Sequence, residues 1–150
     1  MSSVIQFIYA FVATIGYAIF YQLPKKLLIY AGFTGAAGWL VYLFLYKAGS
    51  SLAFSNLAAA IIIAILSEIF ARVTKNPVTM FVIPGILPIT PGYSLYMTMY
   101  HFTQNNISQA VQRGMSTLTV AGSIAVGVML VSSFGKISRK LIEKKALKMQ

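Results

Sequence analysis

The sequence predicts an all-α, polytopic membrane protein of about five transmembrane helices, the fourth of them discontinuous. Three observations carry that expectation. Of 150 residues, 58% are hydrophobic and only 9% are charged, against roughly 25% charged in soluble domains. Mean hydropathy is +0.77, more apolar surface than a soluble fold can hide. Five apolar segments of about 20 residues are each long enough to cross roughly 30 Å of hydrocarbon at 1.5 Å per residue. The twelve Lys and Arg residues, set against two acids, lie between and after these segments, so the net charge of +10 reads as membrane topology rather than nucleic-acid binding.

The first segment, Val4–Leu23, lies within an uncharged stretch ending at Pro24. It lacks the positive n-region of a cleavable signal and is too long for an h-region, so it is expected to remain as a span. Pro24-Lys25-Lys26 punctuates the chain before the second segment, Leu27–Tyr46. Here Gly32, Gly35 and Gly38 weaken helix propensity, yet with Ala36 they form a small-residue strip suited to close helix contact. Trp39, Tyr42 and Tyr46 on the same segment, with Tyr96 and Tyr100 further on, are expected as interfacial belt residues. The third segment is Leu52–Ala71, and the fifth is Met115–Phe134 with a second strip at Ala121, Ser123, Ala125 and Gly127. Between the fourth and fifth, the polar stretch His101–Gly114 is expected as an outer loop. Four full spans plus a re-entrant piece is the competing count. A transmembrane domain over 1–135 and a basic amphipathic tail over 136–150, resting on anionic headgroups, complete the organisation.

The fourth segment, Pro77–Tyr100, holds the most informative feature: Pro84-Gly85-Ile86-Leu87-Pro88-Ile89-Thr90-Pro91-Gly92. Each proline removes a backbone donor and clashes with the turn before it, and each glycine loosens what remains. In hydrocarbon the freed groups need partners, so such a break points to a binding site built on a discontinuous helix. Asn76-Pro77 and Thr90-Pro91 each read as a cap followed by proline at the first helical position, giving half-helices over about 77–83 and 91–100 around an irregular stretch near the midplane. The second half-helix would direct its N-terminal N–H groups at an anionic group, and the first would offer carbonyls to a cation. Pro84, Gly85, Pro88, Thr90, Pro91 and Gly92 are therefore the candidate substrate-binding residues, with Tyr93 as a pocket wall. A kinked helix used only for packing is the alternative.

Glu68 is the one acidic residue in any span. A carboxylate there suits proton coupling, whereas Arg72 at i+4 suits an ion pair at the helix end. Both readings stand. One histidine, two acids and no cysteine assemble neither a catalytic constellation nor a metal site, and no cofactor motif is present, so an enzyme is not expected. Orientation follows from the basic residues. Five spans with the tail in the cytoplasm put ten of the twelve inside, leaving Lys47 and Arg113 outside and the N-terminus outside.

The residues Glu68-x-x-x-Arg72-x-x-Lys75-x-Pro77-x-Thr79 and Ile83-Pro84-Gly85-Ile86-x-Pro88-x-x-Pro91-Gly92, with the upstream Gly32-x-x-Gly35-x-x-Gly38-Trp39-x-x-Tyr42, resemble the threonine/serine exporter family. The resemblance is closest to its small, YjjB-like half and extends over most of the chain. It implies a bacterial inner-membrane exporter of small amino acids or C4-dicarboxylates such as succinate, and together with the protonatable Glu68 the expected function is one subunit of a proton-driven exporter. It also implies a larger membrane subunit carrying a soluble N-terminal domain. A non-transporting scaffold subunit and a small homo-oligomeric channel are the alternatives.

Overall fold

The computed structural model describes residues 3–147, with side chains described through residue 135. Among these residues there are six helices and no strand: α1 (Ser3–Phe20), α2 (Lys25–Lys47), α3 (Leu52–Thr74), α4 (Thr79–Ile86), α5 (Gly92–Thr103) and α6 (Ile107–Leu147), with a single 3₁₀ turn at Leu87–Ile89 following α4. The all-helical membrane fold expected from composition is the fold observed. α1, α2, α3 and the Ile107–Gly135 part of α6 are each long and apolar enough to cross a membrane. The pair Thr79–Ile89 and Gly92–Thr103 is bent by 54° at its break. The basic tail expected over 136–150 falls outside the described side chains; the backbone of α6 continues through Leu147.

Local chemistry sets the helix ends. Gln22 and Lys75 adopt left-handed backbone just past α1 and α3, letting Leu23 N–H reach the Ala18 carbonyl and Asn76 N–H reach that of Ala71. Ser51 caps α3, its hydroxyl accepting from Phe54 N–H at 3.3 Å. Pro24 precedes α2, where its fixed φ is compatible and its missing donor costs nothing. The stretch His101–Gly114, expected as a loop, is instead almost wholly helical. Only Gln104–Asn106 turn, with Asn105 left-handed, and Asn106 starts α6 by accepting from Gln109 N–H. Gln, Arg and Ala have high helix propensity, and polarity alone does not break a helix.

Small residues bring the helices together. α2 is continuous despite its glycines, because each one seats a neighbour. A Cβ at Gly32 would come within 2.7 Å of the Phe11 ring, at Gly35 it would overlap the Thr14 hydroxyl, and at Gly38 it would overlap Ile63. The strip expected on α2 is thus the seam to α1 and α3. On α6 the seam is narrower than expected: Gly127 meets the Leu57 carbonyl and Ala60, and Gly135 meets Glu68, while Ala121 and Ala125 stay exposed. One core gathers Ala59, Ala60, Ile63, Ile89, Val120 and Ile124. A second, towards the other end, gathers Ala18, Leu27, Ala31, Ala71 and Phe81.

The α3–α6 contacts decide the number of crossings. Gly127 lies beside Leu57–Ile61 and Gly135 beside Glu68, so the two helices advance in the same direction. A re-entrant α4–α5 pair would return α6 antiparallel to α3. The broken pair therefore carries the chain from one end of the bundle to the other, so that the chain traverses the bundle five times, with four single helices and one bent pair as the candidate membrane spans. Lys25, Lys26, Arg72 and Lys75 share one end with Gly135, and Lys47 and Arg113 lie at the other.

The same register places the first three turns of α6 beyond the start of α3. α6 has 41 residues, about 61 Å at 1.5 Å per residue. Its leading part pairs with α5, Gly114 lying against Thr98. This hairpin stands away from the bundle: α5 has no buried residue and packs chiefly on α6.

Candidate functional site

The proline-glycine string begins as helix rather than as irregular chain. α4 runs through Pro84 and Gly85 to Ile86 and tightens into the 3₁₀ turn, so the break is confined to Thr90-Pro91. This corrects the expected half-helix boundaries. Prolines four residues apart stack their missing donors along one face of a helix that the bundle already holds in place, and 3₁₀ bonding tolerates the gap. Pro91 makes the actual break by driving the residue before it out of the α region: Thr90 is extended, with φ −66 and ψ 136.

The expected caps are also reversed. Asn76 donates its amide to the Thr74 carbonyl at 2.7 Å, and α4 starts three residues later. Thr90 donates backwards to the Ile86 carbonyl at 3.0 Å and its N–H reaches the Leu87 carbonyl at 3.1 Å. Thr90 therefore closes the end of the first half-helix and leaves the second uncapped. In the first turn of α5, Gly92 N–H bonds the Thr90 carbonyl and Leu95 N–H the Pro91 carbonyl. Tyr93 and Ser94 N–H have no partner among the described residues.

Depth differs as well. Gly85 packs against Thr34 and Ile63, half-way along α2 and α3, so it marks the middle of the bundle. The break lies about five residues above it, roughly 8 Å closer to the α5–α6 end. Around the string the residues separate into three settings. Pro84, Gly85 and Ile89 are buried in the bundle. Leu87 and Pro88, together with Pro84, line a furrow between α4 and α1. Thr90 and Gly92 are exposed, Pro91 is half-buried, and Tyr93 is 70% exposed and lines none of the described cavities.

The furrow is a chain of three cavities, the middle one sharing Tyr21 with the lowest and Ala13 with the upper. The lowest, about 170 Å³, reaches from Tyr21 and Leu23 to Thr79 and Pro84. The middle one, about 520 Å³, lies over Gly16 and Leu87. The upper one, about 410 Å³, is bounded by Gln6, Tyr9, Ala10, Ala13, Trp39 and Pro88. Trp39 is not the belt residue its sequence position suggested. It packs against the upper core and donates Nε1–H to Gln6 Oε1 at 3.2 Å. Sequence reasoning passed over Gln6, although an amide in an uncharged apolar span was the available signal.

Glu68 and Arg72 lie towards the other end, on α3, apart from the string. Arg72 Nη2 is 3.5 Å from Glu68 Oε2, the side chains being 50% and 15% exposed respectively. The pair expected at i+4 is formed, but the carboxylate is largely covered. Gly135 supplies the cover: a Cβ there would stand 2.7 Å from Oε1. Oε2 and the neighbouring Ser67 hydroxyl accept no hydrogen bond among the described residues. Those residues include no cluster of His, Cys, Asp or Glu able to hold a metal ion.

No solved structure matches the chain. Residues 6–134 match the family model described as Threonine/Serine exporter, ThrE, which takes in all five crossings, the furrow, the string and the Glu68–Arg72 pair. A multi-pass bundle with a proline-broken helix and a match across most of its length place this chain in the threonine/serine exporter family of membrane transporters.

Proposed function

We propose that the chain is one subunit of a proton-driven exporter of small amino acids or C4-dicarboxylates, such as succinate, in the bacterial inner membrane. Its solute passes beside the Pro84–Tyr93 string, and a larger membrane subunit with a soluble N-terminal domain completes the path. The observation that carries the subunit reading is the exposure of the break. Thr90, Gly92 and Tyr93 face outward, and two N–H groups of α5 have no partner among the described residues. Unpaired backbone donors cost several kcal/mol each in hydrocarbon, so a second protein surface or a water-filled path belongs over them. The decisive experiment is reconstitution in liposomes. The chain alone should give no serine, threonine or succinate flux, and adding the larger subunit should restore it. Saturable flux by the isolated chain would overturn the subunit reading.

The N-terminus lies outside and the C-terminus in the cytoplasm, since this orientation puts the Lys25, Lys26, Arg72 and Lys75 end inside. With no native cysteine, a cysteine at Ser50 should label from outside intact cells and one at Thr74 should not. The reverse pattern would invert the orientation.

Glu68 is the coupling carboxylate, with Arg72 as its partner. Its cover by Gly135 supports this reading, because ionisable side chains turned into the interior of a membrane bundle mark ion and proton paths. Glu68→Gln should keep solute exchange and lose accumulation driven by a pH gradient. An ion pair of purely structural value is worth about 1 kcal/mol or less, so unchanged gradient-driven export would remove Glu68 from the coupling role.

A further inference from the structure

The upper cavity pairs an amide with the molecule's single tryptophan. An indole nitrogen only donates, so the Gln6 atom 3.2 Å from Trp39 Nε1 is the carbonyl oxygen, which settles which way the amide is turned. The two Nε2 hydrogens are then directed elsewhere, and they make no hydrogen bond among the described residues. Around them the cavity offers Ala10, Ala13 and Pro88, which bring no side-chain acceptor, and the Tyr9 ring with its hydroxyl. An amide left unpaired within a membrane span is costly. Here it borders the same proline string that breaks the fourth crossing.

We propose that Gln6 is a ligand-recognising residue whose carboxamide donates to a carboxylate oxygen of a small solute lodged beside Pro88, with Trp39 holding the amide in register. This deepens the transport reading and rests on it for the identity of the solute. The cavity wall brings donors and no cation, so it favours a ligand rich in acceptors and holds it weakly. A solute on a transport path must bind well enough to enter and loosely enough to leave.

Trp39 reports on this cavity without any need for flux. With the purified full-length chain in lipid nanodiscs, L-serine, L-threonine and succinate should each be titrated against tryptophan emission. At least one should give a saturable change. Gln6→Glu keeps an acceptor for the indole N–H and, as a carboxylate, removes the donors, so the apparent Kd should rise about tenfold or more. Gln6→Leu should shift the unliganded emission as well. Lactate, a carboxylate without an ammonium group, should compete, and serinol, an ammonium without a carboxylate, should not. Absence of a saturable change with all three solutes, equal affinity in Gln6→Glu, or competition by serinol alone would overturn the assignment. Binding without flux in the reconstituted complex would leave it standing and overturn the transport reading instead.

Discussion

Pro91→Ala is expected to straighten the fourth crossing and reduce export by about tenfold or more, since shifting positioned groups by even an ångström costs that much in a preorganised site. Thr90 is extended because a proline follows it, and alanine removes that restriction and restores a backbone donor. α5 has twelve residues, about 18 Å, so relaxing the 54° bend would carry its far end through roughly 15 Å. A cysteine pair at Thr98 and Gly114, in contact in the native hairpin, should cross-link in the parent and not in the variant. Pro84→Ala supplies the contrast. Pro84 already lies inside α4, so its replacement should leave the cross-link intact and reduce export less. Equal flux in the parent and Pro91→Ala would return the break to a packing role.

Gly35→Leu is expected to remove about 3 kcal/mol or more of stability, the upper range for overpacking a close-packed site. Thr14 is fully buried beneath this glycine and its hydroxyl already donates to the Ala10 carbonyl at 2.7 Å. A Cβ alone would overlap that hydroxyl, so a leucine must part α1 from α2. For a chain of this size the loss corresponds to a Tm lower by roughly 6–12 °C. Gly122→Leu is the control: nothing lies within 4 Å of its Cβ position, and the change should not lower Tm. Thermal melts in one detergent or nanodisc composition compare the two directly. A Gly35→Leu melt matching the parent would show that the α1–α2 seam yields.

Composition and spacing alone determined the medium, the all-helical class, the positions of α1, α2 and α3 to within a few residues, and the presence of a break in the fourth crossing. These are local or averaged properties. A run of about 20 apolar residues has to become helix in hydrocarbon wherever it sits, and a proline removes its donor in every context. The tertiary structure decided the rest. Which proline breaks the helix depended on the bundle holding Pro84 and Pro88, while Thr90, the residue before Pro91, lies exposed. Whether α4 and α5 cross or turn back depended on the direction in which Gly127 and Gly135 meet α3. Glycines that weaken a helix in isolation became the closest contacts of α2, because a neighbour filled the space each one opened. Gln6 and Trp39, 33 positions apart, acquired a shared role only when α1 folded against α2. Lateral helix association in lipid is governed by shape, through small residues and a few hydrogen bonds, and shape complementarity between distant segments is not written in the periodicity of either one.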